Sequence, residues 1–218
     1  MDAETKGSGV SEFEQALVSV DVVAMVYSTG TLQVCLPPRQ FAPFLGEAAL
    51  PGVLIGRETS VQAAERALAT KAGARAERLE DVGVFDTDGR DPRGPTMAIA
   101  KLALGVQPLA GTPSLHLLEL GAVRGLPFDH EAIILRAAAS LGRLLLTEAE
   151  ALRFLFGPVL SVRDVLTVAR ALEQATGRAI LPTDNNGIRR LLGTHGATKT
   201  GEYAAGASKG HPSALYRL

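Results

Sequence analysis

The 218-residue sequence has one cysteine, no long apolar run and almost no net charge. A single cysteine, Cys35, excludes an internal disulfide and any zinc site built on cysteines. It lies in an apolar run and reads as a buried thiol. The longest unbroken apolar run, Val22–Tyr27, falls far short of the about 18 residues of a membrane span. Met1–Ser11 is polar and acidic, unlike a charged-then-apolar signal peptide. A cytoplasmic protein with no membrane partner is therefore expected. The formal charge is −1, from 22 Lys+Arg against 23 Asp+Glu, which excludes a uniformly basic nucleic-acid coat and an acidic disordered tail. What is present is 46% apolar residues, enough for a substantial core.

The average charge conceals two halves. Residues 1–126 hold 11 basic and 15 acidic side chains, a net of −4, and residues 127–218 hold 11 and 8, a net of +3. The residue pattern changes at the same place. Val18–Tyr27 and Leu32–Leu36 read as strands joined by a hairpin turn at Ser28-Thr29-Gly30. Leu50–Ile55, Val82–Phe85, Met97–Leu104 and His116–Val123 read as further strands. Between them, Thr59 or Ser60 caps a helix over Val61–Ala72 that Gly73 ends. Beyond Gly125–Phe128 the pattern is helical. Asp129 is placed to cap one helix, Thr147–Phe156 forms a second, and Ser161 caps a third over Val162–Thr176. A short helix follows Thr183 or Asp184 and runs to Leu192, and then come two extended segments around the Gly/Ser-rich stretch Ala205–Pro212.

One spacing stands out. Gly52, five residues, Glu58, seven residues, then Arg66-Ala-Leu-Ala-Thr-Lys-Ala-Gly-Ala74 resembles the Nudix box, with Gly52, Glu58, Arg66, Leu68, Gly73 and Ala74 on matching positions. Nudix enzymes cleave diphosphates using carboxylates on this helix to hold magnesium, a hard cation that wants oxygen ligands. Ala67, Thr70 and Lys71 stand at those positions here, and Glu65 is out of register, more than about 100° around the helix from each of them. Catalysis, a metal and a cofactor are therefore not expected. Glu58 and Arg66 are left with a structural role. A ligand pocket remains plausible chemistry, because Arg90-Asp-Pro-Arg-Gly94 resembles the corresponding loop of ADP-ribose-type Nudix domains. Arginine forks pair with diphosphates bidentately. The candidate ligand-binding set is Arg39, Phe44, Arg57, Arg90 and Arg93, with Phe44 as a stacking surface for an adenine.

Three helices followed by two strands form the pattern of a winged helix-turn-helix. Its second motif helix carries Asn185, Asn186, Arg189 and Arg190, residue types that pair with adenine, guanine or phosphate. The wing carries Lys199, Lys209 and His211. A Nudix domain followed by a winged helix resembles the Nudix-related transcriptional regulators of NAD metabolism. Pro127-Phe-Asp-His-Glu131, Asn186-Gly-Ile-Arg-Arg-Leu-Leu192 and Gly210-His-Pro-Ser-Ala-Leu-Tyr-Arg217 carry the resemblance. Gly187 and Ile188 depart from it, standing where that family usually has an aromatic and a basic residue. The resemblance implies an α+β chain: a Nudix-like α/β/α sandwich at 12–126, then a winged helix-turn-helix at 127–218. It further implies a homodimer that binds double-stranded operator DNA, most often as a repressor, and senses ADP-ribose or a related metabolite. Two other readings are a hydrolase using Asp86, Asp88 or Asp91 as non-standard metal ligands, and a non-catalytic protein-interaction module. The histidines His116, His130, His195 and His211 have no metal-ligand spacing.

Overall fold

The computed structural model describes residues 16–112, 114–204 and 213–218. It opens with the expected hairpin. Strand β1 (Leu17–Ser28) pairs antiparallel with β2 (Thr31–Cys35), from Met25 opposite Val34 to Ser28 opposite Thr31. Thr29 and Gly30 both take positive φ, as a tight two-residue hairpin turn requires. The first half of β1 pairs antiparallel with β3 (Gly52–Leu54) and parallel with β6 (Thr96–Leu104). Strand β5 (Arg78–Phe85) flanks β6 with a bulge between Asp81 and Gly83, and β8 (Leu117–Glu119) closes the other edge on β2. A two-residue pair, β4 (Ala74–Arg75) with β7 (Gln107–Pro108), stands apart.

Alternation along β1 divides the sheet into two faces. Val20, Val22 and Ala24 face helix α1 (Ser60–Ala67) and pack on Ala63, Ala64, Ala67 and Leu68. Val23 and Met25 face the other way, with Ala98, Ala100 and Leu102, onto the helices of the second half. The sheet is thus covered on both sides, the layering of an α/β/α sandwich. Thr59 caps α1 through a reciprocal pair with Gln62. The helix continues as a single π turn, Leu68–Ala72, and ends at Gly73, whose φ is +60°. A side chain at Gly73 would meet Thr112 Oγ1 at 2.6 Å, so both the conformation and the space call for glycine there.

The second half contains α2 (His130–Thr147), α3 (Ala149–Phe156), α4 (Val162–Thr176) and α5 (Asn185–Thr194). It also contains a three-stranded antiparallel sheet. The expected segments β10 (Thr198–Tyr203) and β11 (Ala214–Arg217) form two of its strands. The third, β9 (Val159–Ser161), was not expected. It is only three residues long, sits directly before α4 and pairs with β11. Ser161 both ends β9 and caps α4 through a box with Asp164. One apolar core is continuous from Val23 and Met25 through Ile133, Leu141, Leu152 and Val165 to Ile188. Each such side chain contributes about 1.5–3 kcal/mol on burial. Tyr27 ties the halves further: its hydroxyl donates to Asp164 at 2.9 Å and its ring packs edge-on against Phe156.

Three local expectations are corrected. Asp129 precedes α2 but makes no cap; its carboxylate is spent on Arg90. His116–Val123 is not one strand, because after Glu119 the chain turns through a 3-10 segment (Leu120–Ala122) that sends Leu120 and Val123 into the core. The helix expected to end at Leu192 runs on to Thr194. The stretch Ala205–Pro212, with Lys209 and His211, lies outside the described residues. No described helix is long and apolar enough to cross a membrane.

Candidate functional site

A cavity of about 420 Å³ opens where β1, β3, the end of α1 and the start of α2 converge. Its floor is set by Gly52 and Asp21. A Cβ at position 52 would meet Asp21 Oδ1 at 2.2 Å, so the leading glycine of the box makes room for a buried carboxylate. Around the floor stand Arg39, Phe41, Arg66, Thr70, Lys71, Arg90, Asp91, Arg93, Phe128 and His130.

The box helix does not fit magnesium. Ala67 is fully buried in the core, and the Thr70 hydroxyl donates to the Arg66 carbonyl at 2.7 Å. Lys71 brings a cation. Among the described residues no three His, Cys, Asp or Glu side chains cluster as a metal site. Asp86 and Asp88 do not line this cavity, and Asp91 is held by Arg93 at 2.7 Å. Glu58 and Arg66 form an ion pair, and Arg66 also donates to the Leu54 carbonyl, clasping β3 to α1. That pairing holds the Glu58 carboxyl below its usual range.

The cations differ in what already neutralises them. The Arg90 side chain is 3% exposed, donates to both oxygens of Asp129 at 2.6–3.0 Å and contacts Asp21 at 3.4 Å. Burial is the largest influence and opposes its charge, but the bonds and charges of Asp129 and Asp21 together outweigh it and keep its pKa above the ordinary arginine value. Arg93 is paired with Asp91. Arg39 is different. Among the described residues it donates only to the carbonyls of Pro43 and Phe41, and it lies over the Phe128 ring, 4.8 Å from its centroid. Burial, and then the charge of Arg93, pull its pKa below the usual value. Lys71 has no carboxylate partner among the described residues and lies over Phe41, 5.1 Å from the ring centroid. Two cations without an ion-pair partner among the described residues, beside a concave surface, suit an anion.

The remaining sequence candidates fall elsewhere. Phe44, at φ +64°, packs edge-on against Phe128 and does not line the cavity; nor does Arg57. Phe41, two-thirds exposed, lines the cavity together with Phe128. The sequence reading also missed Asp21 and His130. His130 is buried, its Nδ1 accepts the Leu50 N–H at 3.1 Å, and its Nε2 lies 3.9 Å from Asp21. Burial lowers its pKa, keeping the ring neutral. Asp21 lies inside an apolar strand run, and no motif marks it; the Phe128-Asp-His130 triplet was read as the family-like opening of a helix, without a place at the site.

In the second half, α5 exposes Asn185, Asn186, Arg189 and Arg190 on one face and buries Ile188, Leu191 and Leu192 on the other. Asp184 caps it, accepting from the Asn186 and Gly187 amides at 2.9 Å each. The departure at Gly187 has a physical reason: a Cβ there would meet Pro182 at 2.5 Å. Lys199 and Tyr203 are exposed on β10.

No protein-family model and no curated protein matches the chain in sequence. Solved structures do match. Crystal structures of Shewanella oneidensis NrtR align at 24% identity with a TM-score of 0.68, in complex with a 27mer DNA, and at 26% with a TM-score of 0.67. These alignments cover 92% and 93% of this chain, and 93% and 94% of NrtR. The chain has a Nudix-like fold and resembles NrtR from end to end. The NUDIX domain of the same NrtR, solved with ADP ribose, aligns at 29% identity with a TM-score of 0.52, covering 59% of this chain and 90% of that domain.

Proposed function

We propose that this chain is a transcription regulator that binds operator DNA as a homodimer and senses ADP-ribose or a related nucleotide metabolite, in the setting of NAD metabolism. Residues 12–126 form the sensing domain and 127–218 the winged helix-turn-helix. One observation carries the reading. A Nudix-like helix presents Ala67, Thr70 and Lys71 in place of metal-holding carboxylates, beside an anion-suited cavity, in a chain that resembles a DNA-binding regulator over its whole length. NrtR, a Nudix-fold transcriptional regulator, was solved with DNA, and its NUDIX domain with ADP ribose.

Arg39 and Arg93 hold the ligand's diphosphate, and Phe41 takes the stacking role first assigned to Phe44. Asn185, Asn186, Arg189 and Arg190 meet base edges and phosphates, joined by Lys199 on β10 and by Lys209 and His211, which lie outside the described residues. The domain does not hydrolyse its ligand. The effector reaches the reader through α2, whose first residues face the cavity. An anion that draws Arg90 from Asp129 loosens the start of that helix and changes the spacing of the two reading heads. A gel shift on the protein's own upstream region, with and without ADP-ribose, tests this. Retardation relieved or strengthened by ADP-ribose is expected. No specific retardation of any genomic fragment at low salt overturns it. Magnesium-dependent ADP-ribose turnover, lost on Asp86→Ala, Asp88→Ala or Asp91→Ala, would establish the hydrolase instead.

A further inference from the structure

The mismatch between the box helix and magnesium points to what stands in the metal's place. We propose that the ammonium of Lys71 takes the position of the metal at the ligand's diphosphate, so that the cavity binds its anion without a divalent cation. This rests on the reading of the cavity as a nucleotide-diphosphate site and specifies how that site works.

The geometry carries it. Lys71 lies in the π turn that extends α1, a distortion that re-aims side chains by one position and often marks functional segments. It lines the cavity, half-buried, with no carboxylate partner among the described residues. The Phe41 ring positions the ammonium without neutralising it. The other positions of the box are closed to charge: Ala67 is in the core, Thr70 is bonded to its own helix and Arg66 is engaged with Glu58. Three carboxylates with one divalent ion leave a net negative charge and need the ion before an anion can approach. One free ammonium is positive by itself, and Arg39, which has no ion-pair partner among the described residues, adds a second cation to the same cavity. A magnesium ion brought here would face these cations with Asp21 and Asp91 already engaged by arginines.

Calorimetric titration of the full chain tests this, with ADP-ribose and inorganic pyrophosphate as probes, each in EDTA and in excess magnesium. The expected result is ADP-ribose affinity that is the same in both buffers and falls about 10–100-fold in Lys71→Ala. Lys71→Arg, which keeps the charge, recovers part of the loss. Lys71 is not in the core, so unchanged thermal unfolding of Lys71→Ala confirms that the loss is local. Binding abolished by EDTA and restored by magnesium overturns the proposal, as does Lys71→Ala binding as tightly as the native chain. Metal-free, Lys71-dependent pyrophosphate binding without ADP-ribose binding keeps the role of Lys71 and overturns the ADP-ribose reading. No binding of either probe by the native chain overturns both.

Discussion

Replacing Arg90 with methionine, which is similar in size, separates its structural role from any ligand contact. Arg90 is nearly sequestered and satisfies two carboxylates at once: Asp129, with a side chain 14% exposed, and Asp21, at 8%. Without the guanidinium, both carboxylates face each other across an apolar side chain, and the neutral ring of His130 supplies no compensating charge. Removing one partner of a buried ion pair costs about 3–5 kcal/mol. For a chain of this length that lowers Tm by about 6–20 °C. The deficit depends on pH with a definite sign. In Arg90→Met the two like charges repel each other with no cation between them, and protonating either relieves the repulsion, so the deficit is smallest in acid and grows as pH rises towards neutrality. The double variant Arg90→Met/Asp129→Asn removes one repelling charge and recovers part of the loss. Scanning calorimetry of the native chain, both single variants and the double variant between pH 4 and 8 measures each term. An Arg90→Met loss below about 1 kcal/mol, with the pH profile of the native chain, refutes the reasoning.

Further outcomes follow from neighbouring residues. Burial depresses the pKa of His130, against the attraction of Asp21 and Asp129 and with the repulsion of Arg90 and Arg39. Its contribution to stability is therefore complete above about pH 7 and is lost as pH falls below the unfolded value near 6.5. His130→Asn keeps an acceptor for the Leu50 amide and flattens that segment of a denaturant-derived stability profile; an unchanged slope refutes the assignment. Gly52→Ala drives a methyl into Asp21 and costs about 1–3 kcal/mol, read as a lower denaturation midpoint. On the proposed reading, Arg190→Ala weakens operator binding and reduces the slope of log affinity against log salt by about 1; an unchanged slope removes Arg190 from the phosphate contacts.

The parts of the fold legible in the sequence were those set by local chemistry. The β1–β2 hairpin followed from alternation and Thr29-Gly30, and α1 from Thr59 and Gly73. Strand β9 was invisible because three residues carry no period, and its pairing partner β11 lies 54 residues further on. At the cavity, the box spacing located Gly52 and the box helix, and the resemblance to ADP-ribose-type domains added the Arg90 loop. It did not distinguish an arginine free to bind an anion from one already neutralised. Arg90 and Arg39 look alike in the sequence; only the chain's return at Asp129 sets them apart. Asp129 was misread for the same reason, since a cap is a local inference and its true partner is 39 residues away.

The proposed coupling also has to meet an energetic demand. Moving a two-state element from mostly one form to mostly the other takes about 5.5 kcal/mol of differential ligand affinity. Exchanging the Asp129 carboxylate for a phosphate on Arg90 contributes little of that, because one charge-assisted bond replaces another. Arg39 and Lys71 are the groups able to supply the remainder, since neither has an ion-paired carboxylate among the described residues to give up. Both are also positioned by aromatic rings. Arg39 rests on Phe128, directly before Asp129 and α2, whereas Lys71 rests on Phe41, in the loop that carries Arg39 itself. An anion drawn to Arg39 therefore acts on the residue next to the latch, and one drawn to Lys71 alone does not. In this scheme Lys71 contributes mainly to affinity and Arg39 to the response, so Lys71→Ala shifts the ADP-ribose concentration that alters DNA binding without shrinking the maximal effect. Arg39→Ala shrinks the effect itself. A gel-shift titration with ADP-ribose separates the two, and equal behaviour of both variants refutes the division.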